Sequence, residues 1–371
     1  MSEPMGSCML AITPTLTKIA NSVGLSNQNI KGSAFLCGLL PAKVPWMPVA
    51  FTISITTKCN LRCTMCSRTI HGVEPMNMSR ELFLQAAKFF DNKTVTMLGA
   101  GEPFIHPNIF EFIEICQNKN VKLNLVTNGM LLNESKIQRL LQYKINSLVF
   151  SIDGVNEGYN KIRVGGNFQT VLEHFKRVSE LRKDMSLGIN FVAMKSNADD
   201  FPKLVEIFGA NADVIELSHP IIFSADETDE HLNKNAAQAE RIFAESTKIA
   251  KKYGTKLILR KLKPYATRCV EPWVAPYIGI KGDVYPCCMI GGGNPQEKEE
   301  EFYEDAHITR HVTSFGHVSD FGEVWNNQKF QDFRKALQKI NTSKDGDDYM
   351  KVIKLPVSYC KLCPYRWNCV C

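Results

Sequence analysis

The sequence predicts an α/β fold, in which a parallel sheet of six βα units is followed by a smaller cysteine-rich domain. Between residues 51 and 219, short apolar runs alternate with longer segments of helical period. After residue 256 this alternation ends, and seven of the 13 cysteines lie in the last third of the chain. A chain of 371 residues has room for one domain of about 200 to 250 residues and a second, smaller one.

Six strands are predicted where the runs are short and rich in β-branched residues. They are Phe51–Thr57, Val95–Gly99, Lys122–Thr127, Ser147–Ile152, Leu187–Met194 and Asp213–Leu217. Six helices are predicted between and after them: Arg80–Phe90, Asn108–Asn118, Glu134–Tyr143, Phe168–Arg182, Phe201–Phe208 and Asn235–Tyr253. Ser79 and Asn133 stand where helix N-caps are expected. Six βα units are two short of a closed eightfold barrel, so we expect a partial barrel.

The last third has a different pattern. Tyr277 to Cys288 alternates like a β-hairpin with Gly282-Asp283 near its turn, and a helix is expected over Trp325 to Lys339. The acidic segment from Gln296 to Asp305 is expected to be a solvated loop. We therefore divide the chain into an N-terminal extension (1–50), a barrel (51–255) and an auxiliary domain (256–371).

Charge and hydropathy exclude several classes of protein. The net charge of +6 comes from 44 basic and 38 acidic residues that are interspersed, which does not favour a nucleic-acid partner. The most apolar stretch, Gly32 to Phe51, is interrupted by Lys43 and three prolines, so no membrane span is expected. The N-terminus has no secretory pattern, and we expect a cytoplasmic protein. In a reducing compartment, many cysteines indicate metal or redox chemistry rather than disulfides.

Three cysteines, Cys59, Cys63 and Cys66, lie on one short segment directly after the first predicted strand. Their thiolates are soft ligands that suit an iron-sulfur cluster or zinc. A closed site wants four protein ligands, whereas three leave one metal position open for another molecule. A zinc site completed by a distant residue such as His71 and a set of buried thiols are the alternatives.

This segment resembles the radical S-adenosylmethionine (radical SAM) superfamily, whose signature Cys-x3-Cys-x2-Cys follows the first strand of a partial (β/α)6 TIM-like barrel. The resemblance implies that the three cysteines bind a [4Fe-4S] cluster whose open iron chelates S-adenosyl-L-methionine (SAM). Met65 stands where the family usually has an aromatic residue near the adenine.

Further motifs follow the ends of the predicted strands, where the active face of a barrel lies. Gly99 to Pro103 is similar to the family's Gly-Gly-Glu-Pro motif, which implies that Glu102 contacts the SAM ammonium group. The resemblance also implies ribose contacts for Ser151 and Asp153, and an ion pair between Arg163 and the SAM carboxylate. Asn197 is expected either to contact SAM or to cap the next helix. The full set of implied SAM-binding residues is Met65, Gly101, Glu102, Pro103, Thr127, Asn128, Ser151, Asp153, Arg163 and Asn190.

A second cysteine group lies in the last third of the chain, in the order Cys269, Gly282-x4-Cys287-Cys288, Cys360-x2-Cys363-x5-Cys369 and Cys371. This order resembles the SPASM and shorter twitch auxiliary-cluster domains of radical SAM enzymes. The resemblance implies one auxiliary cluster, for which we choose Cys269, Cys287, Cys360 and Cys363, with zinc as the second choice of metal. A possible second cluster would draw on Cys288, Cys369 and Cys371. Cys287 and Cys288 are adjacent, so we expect them on opposite faces of the hairpin. Cys8, Cys37 and Cys116 are assigned to packing.

The resemblance implies an oxidoreductase or modifying enzyme that cleaves SAM reductively and abstracts a hydrogen from its substrate, assisted by one or two auxiliary iron-sulfur clusters. The substrate is expected to be a small molecule such as an aminosugar alcohol, or a peptide side chain. The alternatives are a peptide- or protein-maturing enzyme that crosslinks, epimerises or oxidises, and a non-catalytic iron-sulfur or zinc protein. A flavodoxin or ferredoxin is the expected electron donor, since a small acidic protein suits the mildly basic surface.

Overall fold

The computed structural model describes residues 40–260, 262, 269–291, 299–303, 306–310 and 313–342. Its centre is a run of seven parallel strands. They are Ala50–Ile53 (β1), Thr94–Met97 (β2), Lys122–Thr127 (β3), Ser147–Ser151 (β4), Ser186–Val192 (β5), Val214–Ser218 (β6) and Lys256–Leu259 (β7), each paired with the next. The six strands predicted from the sequence are all present. The seventh, β7, lies beyond the expected boundary at residue 255 and belongs to the barrel sheet.

Twelve α-helices are described, several of them a single turn. They are Ser67–Ile70 (α1), Arg80–Ala87 (α2), Ile109–Asn118 (α3), Glu134–Leu140 (α4), Asn156–Ile162 (α5), Phe168–Leu181 (α6), Phe201–Phe208 (α7), Ala236–Tyr253 (α8), Glu271–Val274 (α9), Cys288–Gly291 (α10), Phe321–Val324 (α11) and Gln328–Thr342 (α12). The expected N-caps are confirmed: Ser79 accepts from the Leu82 amide at 3.1 Å, and Asn133 accepts from the Lys136 amide at 3.0 Å. Cys116 is fully buried on α3, as its packing assignment predicts.

The two faces of the barrel sheet differ in chemistry. Phe150 of β4 packs its ring 5.0 Å from Phe175 of α6, and Phe191 of β5 lies 5.1 Å from Phe201 of α7. These rings identify the helix-covered outer face, where burial of each large apolar side chain stabilises the fold by about 1.5–3 kcal/mol. Because side chains alternate along a strand, Ser151 and Asn190 must face the inside of the barrel.

The inner face is polar. The strand register pairs Asn190 with Ser151 on one side and with Glu216 on the other. Ser218 donates from its hydroxyl to Asn190 Oδ1 at 2.7 Å. The inside of the barrel, towards the carboxyl ends of β4 to β6, therefore carries hydrogen-bonding and charged groups rather than an apolar filling.

The auxiliary part continues the same sheet beyond β1. Its strands are Tyr277–Ile278 (β8), Asp283–Tyr285 (β9) and Gly316–His317 (β12), and the sheet order is β12-β9-β8-β1-β2-β3-β4-β5-β6-β7. The pair β8–β9 is the expected hairpin, with Gly282 at φ +85° in its turn. The hairpin and the barrel thus share one set of backbone hydrogen bonds.

A separate two-stranded antiparallel hairpin, Glu299–Tyr303 (β10) with Ala306–Arg310 (β11), lies where the acidic segment was expected to be a solvated loop. That expectation was wrong, because an acidic composition does not prevent backbone pairing in a hairpin. In the described part of the chain, no helix combines the length and the apolar character that crossing a lipid bilayer demands.

Residues 40–49, assigned to the N-terminal extension, pack on the auxiliary part. Trp325 Nε1 donates to the Trp46 carbonyl at 2.8 Å, and Trp46 Nε1 donates to the Trp273 carbonyl at 3.1 Å. Arg334, fully buried on α12, donates to the carbonyls of Pro272 and Ala42 at 2.8 and 3.0 Å. These bonds tie the segment before β1 to both ends of the described auxiliary region.

Candidate active site

The cysteine segment is held in place by backbone pairing with the end of α5. The Arg62 amide donates to the Val164 carbonyl at 2.8 Å, and the Thr64 amide donates to the Ile162 carbonyl at 2.9 Å. Cys63 lies between the two bonds, opposite Arg163. In such a pairing, directly opposite residues project to the same side. The loop therefore brings the Cys63 thiol and the Arg163 guanidinium together.

The three thiols of this segment have different surroundings. Cys63 is 8% exposed, and burial raises the pKa of its thiol to about 11 although the charge of Arg163 opposes the rise. Burial also raises the pKa of Cys59. Its sulfur accepts from the Leu61 amide at 3.4 Å and from Asn128 Nδ2 at 3.7 Å. Cys66 is half-buried and directly precedes α1.

The spread of these thiols bears on which metal group they could hold. A zinc ion needs its sulfur ligands at about 2.3 Å from one point. Among the described residues, no three His, Cys, Asp or Glu side chains converge in that way. The three thiols lie on one segment after β1, and the choice of an iron-sulfur cluster over zinc rests on the sequence motif.

Glu102 is a buried carboxylate at the end of β2, and the carboxylate accepts three hydrogen bonds from uncharged donors. Its Oε1 accepts from Thr127 Oγ1 at 2.7 Å and from the Phe104 amide at 3.1 Å. Its Oε2 accepts from the Asn128 amide at 2.7 Å. Burial raises the pKa of Glu102, and these bonds oppose the rise. Pro103, also buried, begins the short 3₁₀ turn Pro103–Ile105 that presents the Phe104 amide.

Glu102 differs from the two other buried carboxylates in having no cationic partner among the described residues. Asp153 pairs with Arg163, and Glu216 pairs with Arg260. The charge of Arg163 acts on Glu102 without a direct salt bridge, and it adds to the neutral donors in opposing the raised pKa. A buried carboxylate without a direct ion pair suits a cationic ligand, because such a pair would compensate its desolvation. Glu102 therefore fits the ammonium group of SAM, as the sequence motif implies.

The structure gives a reason for a glycine at position 101 that the sequence alone did not. A side chain at this position would meet the carbonyl oxygens of Thr56 and Lys58 at 2.3 and 2.6 Å. The neighbouring Glu102 amide donates to the Lys58 carbonyl at 2.8 Å. The glycine thus lets the motif after β2 lie directly against the start of the cysteine segment.

Asp153 and Arg163 form an ion pair of their own. Arg163 donates from Nε and Nη2 to Asp153 Oδ2 at 2.6 and 2.5 Å, and the Val192 amide donates to Oδ1 at 2.7 Å. Asp153 has no exposed surface. Since both of its oxygens accept from the protein, Asp153 positions Arg163. The ribose contact that the sequence motif implies stays a prediction.

The inner-face residues of β4 and β5 lie close together. Ser151 and Asn190 are register partners and both are half-buried, so they remain available to a ligand in the barrel. Asn197 donates from Nδ2 to the carbonyls of Asp153 and Val192 at 3.0 and 2.9 Å. Of the two roles expected for Asn197, the helix cap is not made, because its amide instead ties the end of β4 to the end of β5. The SAM contact stays a prediction.

Tyr159 is a buried residue of this region that the sequence analysis missed. It has no exposed surface, and its hydroxyl makes no hydrogen bond with any described residue. The charges of Arg163, Asp153 and Cys63 all act on it. An orphaned hydroxyl here fits a group that would occupy the space beside Cys63. Its only sequence signal is a tyrosine four positions before Arg163, on the same helix face.

Glu216 and Arg260 were also missed. Both are about nine-tenths buried, and they contact each other across β6 and the residue that follows β7. A charged residue inside the apolar run Val-Ile-Glu-Leu of β6 was the available signal. Met65, which the sequence motif places near the adenine of SAM, is half-buried in the turn between Cys63 and Cys66.

Three of the seven auxiliary cysteines are described. Cys269 precedes α9, and Cys287 and Cys288 follow β9; all three are half-buried. The expectation that Cys287 and Cys288 project from opposite hairpin faces was wrong, because the strand ends at Tyr285 and Cys288 begins α10. Cys360, Cys363, Cys369 and Cys371 lie outside the described residues, as do Cys8 and Cys37.

A small cavity, open to solvent, lies between the motif after β2 and the auxiliary hairpin. Ala100 and Ser54 line it on the barrel side, and Tyr277 and Tyr285 line it on the hairpin side. The hairpin that leads to Cys287 and Cys288 therefore borders the same space as the Gly99 to Pro103 motif.

Two family models match this chain. The radical SAM superfamily model matches residues 53–208, and the SPASM model, described as an iron-sulfur cluster-binding domain, matches residues 269–364. Together they imply [4Fe-4S] clusters, SAM and auxiliary iron-sulfur clusters as cofactors.

Several curated proteins are similar in sequence. The tungsten-containing aldehyde ferredoxin oxidoreductase cofactor-modifying protein of Pyrococcus furiosus is 24% identical over 296 residues, which cover 76% of this chain and 82% of that protein. The antilisterial bacteriocin subtilosin biosynthesis protein AlbA of Bacillus subtilis is 26% identical over 254 residues, covering 66% of this chain and 56% of AlbA. A probable GTP 3',8-cyclase of Methanocaldococcus jannaschii is 32% identical over 173 residues, 44% of this chain and 57% of the cyclase.

A similar fold occurs among solved structures. SuiB of Streptococcus suis bound to S-adenosylmethionine aligns with a TM-score of 0.59 at 17% identity, covering 88% of this chain and 79% of SuiB. The likeness shows a common α/β architecture with a smaller C-terminal domain.

Proposed function

This chain belongs to the radical SAM superfamily and carries a C-terminal SPASM domain, and from that premise we propose that it oxidises or crosslinks a side chain of a peptide substrate inside the barrel. The bound cluster and SAM supply one-electron chemistry that removes a hydrogen atom from the substrate. The chain's own residues bind, orient and shield the reacting groups.

The carrying observation is the buried carboxylate of Glu102, which lies beside the cysteine segment and has no salt bridge to a described residue. Its three donors fix the carboxylate, and Gly101 places it against Lys58 at the start of that segment. A SAM ammonium bound there would lie next to a cluster held by Cys59, Cys63 and Cys66. Ser151 and Asn190, across the barrel, would face the ribose, and Arg163 would extend its positive charge towards Cys63 and the SAM carboxylate.

The substrate would lie against the β6–β7 side of the barrel. Glu216 is the register neighbour of Asn190, so a ligand at Asn190 also approaches the Glu216–Arg260 pair. A polar, charged wall suits a peptide segment or a polar small molecule better than a hydrocarbon. The similarity to AlbA, a protein named for subtilosin biosynthesis, supports the peptide.

The auxiliary cluster, for which Cys269, Cys287, Cys360 and Cys363 are the proposed ligands, would accept the second electron of a net two-electron oxidation. The cavity between the Gly99 to Pro103 motif and the β8–β9 hairpin supports such proximity. Cys288, Cys369 and Cys371 remain the candidates for a second auxiliary cluster. A flavodoxin or ferredoxin would supply the first electron.

A second candidate function is modification of a small polar molecule. The similarity to the protein named as cofactor-modifying, which extends over 82% of that relative, favours it. The two candidates differ in the size of the product, so one search by mass spectrometry over peptides and small polar molecules separates them. Oxidation would lower the product mass by about two units, the mass of two hydrogen atoms.

The enzymatic proposal is tested by anaerobic reconstitution, reduction and chromatography for 5'-deoxyadenosine. We expect this product from the wild type, and none from a variant in which Cys59, Cys63 and Cys66 are all replaced by alanine. The triple variant should also lose about four irons per chain, one cubane, while keeping the auxiliary iron. Wild-type protein that binds iron but never forms 5'-deoxyadenosine with any reductant would instead be a non-catalytic iron-sulfur protein.

A further inference from the structure

Asn128 connects the candidate cluster ligand Cys59 to the candidate SAM ligand Glu102. Its side-chain Nδ2 lies 3.7 Å from Cys59 Sγ and 2.9 Å from Asn60 Oδ1. Its backbone amide donates to Glu102 Oε2 at 2.7 Å. One residue at the end of β3 therefore touches both halves of the proposed cofactor site.

The Asn128 side chain is oriented by bonds on both of its amide atoms. Its Oδ1 accepts from the Met130 amide at 2.9 Å, which leaves Nδ2 directed towards the cysteine segment. The residue is 5% exposed, so water does not compete strongly for that donor. Thr127, which precedes it, is fixed in turn by its bonds to Glu102 and to the Gly129 amide.

Cys59 alone among the three cysteines has described hydrogen-bond donors at its sulfur, the Leu61 amide and Asn128 Nδ2. Hydrogen bonds to cysteine sulfur stabilise the more negative, reduced state of an iron-sulfur cluster and so raise its reduction potential. The Leu61 bond is made by backbone and cannot be changed by substitution. The Asn128 bond depends on one side chain.

We propose that Asn128 is a positioning residue that raises the reduction potential of the N-terminal cluster through its Nδ2–H···Sγ bond to Cys59. The inference depends on the proposed role of Cys59 as a cluster ligand. It goes beyond that role, since it assigns to a side chain of β3 the control of how readily the cluster is reduced.

The test is an EPR-monitored redox titration of the full-length, reconstituted protein without SAM. The signal that changes when SAM is added identifies the N-terminal cluster. In Asn128→Ala, we expect the ratio of reduced to oxidised cluster at a fixed potential to fall about tenfold, which is about 59 mV for a one-electron couple. The auxiliary signal should stay unchanged.

Asn133→Ala is the matched control. Asn133 lies five residues further along the same connection and caps α4, so its loss loosens the segment without touching a sulfur. Its potential should equal that of the wild type. An unchanged potential in Asn128→Ala, or an equal shift in Asn133→Ala, would overturn the proposal.

A measurement on the wild type covers the case in which Asn128→Ala fails to hold its cluster. Protein labelled with 15N-asparagine should show a weak 15N coupling to the reduced N-terminal cluster, because Nδ2 contacts a ligating sulfur. Absence of the coupling overturns the proposal independently of any variant. If the cysteine triple variant loses its four irons while Asn128→Ala keeps the wild-type potential, the role of Asn128 fails and the enzymatic function stands.

Discussion

On the β1–β3 side of the barrel, Glu102 is held by three uncharged donors, whereas on the β4–β7 side Asp153 and Glu216 each contact an arginine. All three carboxylates are buried, so each has lost most of its hydration. Asp153 and Glu216 regain a favourable electrostatic interaction from their arginine partners. The desolvation of Glu102 is compensated only in part, and its pKa is raised as a result.

This difference separates groups that shape the site from groups that await a ligand. An internal ion pair fixes neighbouring elements, as Asp153 does by joining Arg163 to the Val192 amide. A carboxylate with neutral donors keeps its charge for a cation from outside. The β1–β3 side therefore suits the SAM ammonium group, and the β4–β7 side suits orientation of the rest of SAM and contact with the substrate.

The largest expected effect is on stability, from Asp153→Asn. The change leaves the buried Arg163 guanidinium without a charged partner, and removing one member of a buried pair costs about 3–5 kcal/mol. Urea unfolding of the metal-free protein, followed by far-UV circular dichroism, measures it. Glu134→Gln is the control, since its pair with Arg177 is exposed and should change stability by less than about 1 kcal/mol. Equal losses in the two variants would contradict the comparison.

The second prediction concerns SAM binding. Glu102→Gln removes the charge that would meet the ammonium, and we expect SAM affinity to fall about tenfold to a hundredfold, since a hydrogen bond to a charged group contributes about 1.5–3 kcal/mol. Equilibrium dialysis of the reconstituted protein measures it. Glu134→Gln, which changes an exposed carboxylate on the outer surface, should leave SAM affinity unchanged.

The same site predicts a pH dependence. Burial raises the pKa of Glu102, so the carboxylate becomes protonated at a higher pH than an ordinary glutamate. SAM affinity should therefore be present above that pKa and be lost as the pH falls through it, before exposed carboxylates titrate. In Glu102→Gln the affinity should not vary in this range. A wild-type profile as flat as that of the variant would remove Glu102 from the SAM site.

Sequence and structure agree where local signals decide the outcome. The β-branched runs gave β1 to β6, and the Ser79 and Asn133 caps follow from short-range hydrogen bonds. The strand β7 was not predicted, because its run, Lys-Leu-Ile-Leu, is only four residues long and directly follows the turn after α8. Its partner β6 lies about forty residues earlier, so pairing rather than propensity defines it.

The same distinction between local signals and long-range contacts applies to the residues of the candidate site. The cysteine motif and Glu102 could be identified from spacing. The role of Asp153 could not, because Asp153 follows β4 whereas its partners Arg163 and Val192 lie at the ends of α5 and β5. The close approach of Gly101 to the carbonyls of Thr56 and Lys58 could not be identified either, because those residues lie more than forty positions earlier in the chain. Neither contact can be predicted from residues that are close in sequence.

The smallest expected effect comes from Tyr159, which lies between the two sides. Its hydroxyl is buried and makes no bond to a described residue in the metal-free chain, and an unsatisfied buried donor costs about 1–3 kcal/mol. Tyr159→Phe should therefore stabilise the metal-free protein by about 1 kcal/mol, measured by urea unfolding. Tyr253→Phe is the control, because the Tyr253 hydroxyl donates to Glu206 at 2.6 Å and its loss should not stabilise. If the Tyr159 hydroxyl meets the cluster or SAM, the gain should shrink once both are bound. A Tyr159→Phe variant that is destabilised without metal would show that the hydroxyl already has a partner in the protein.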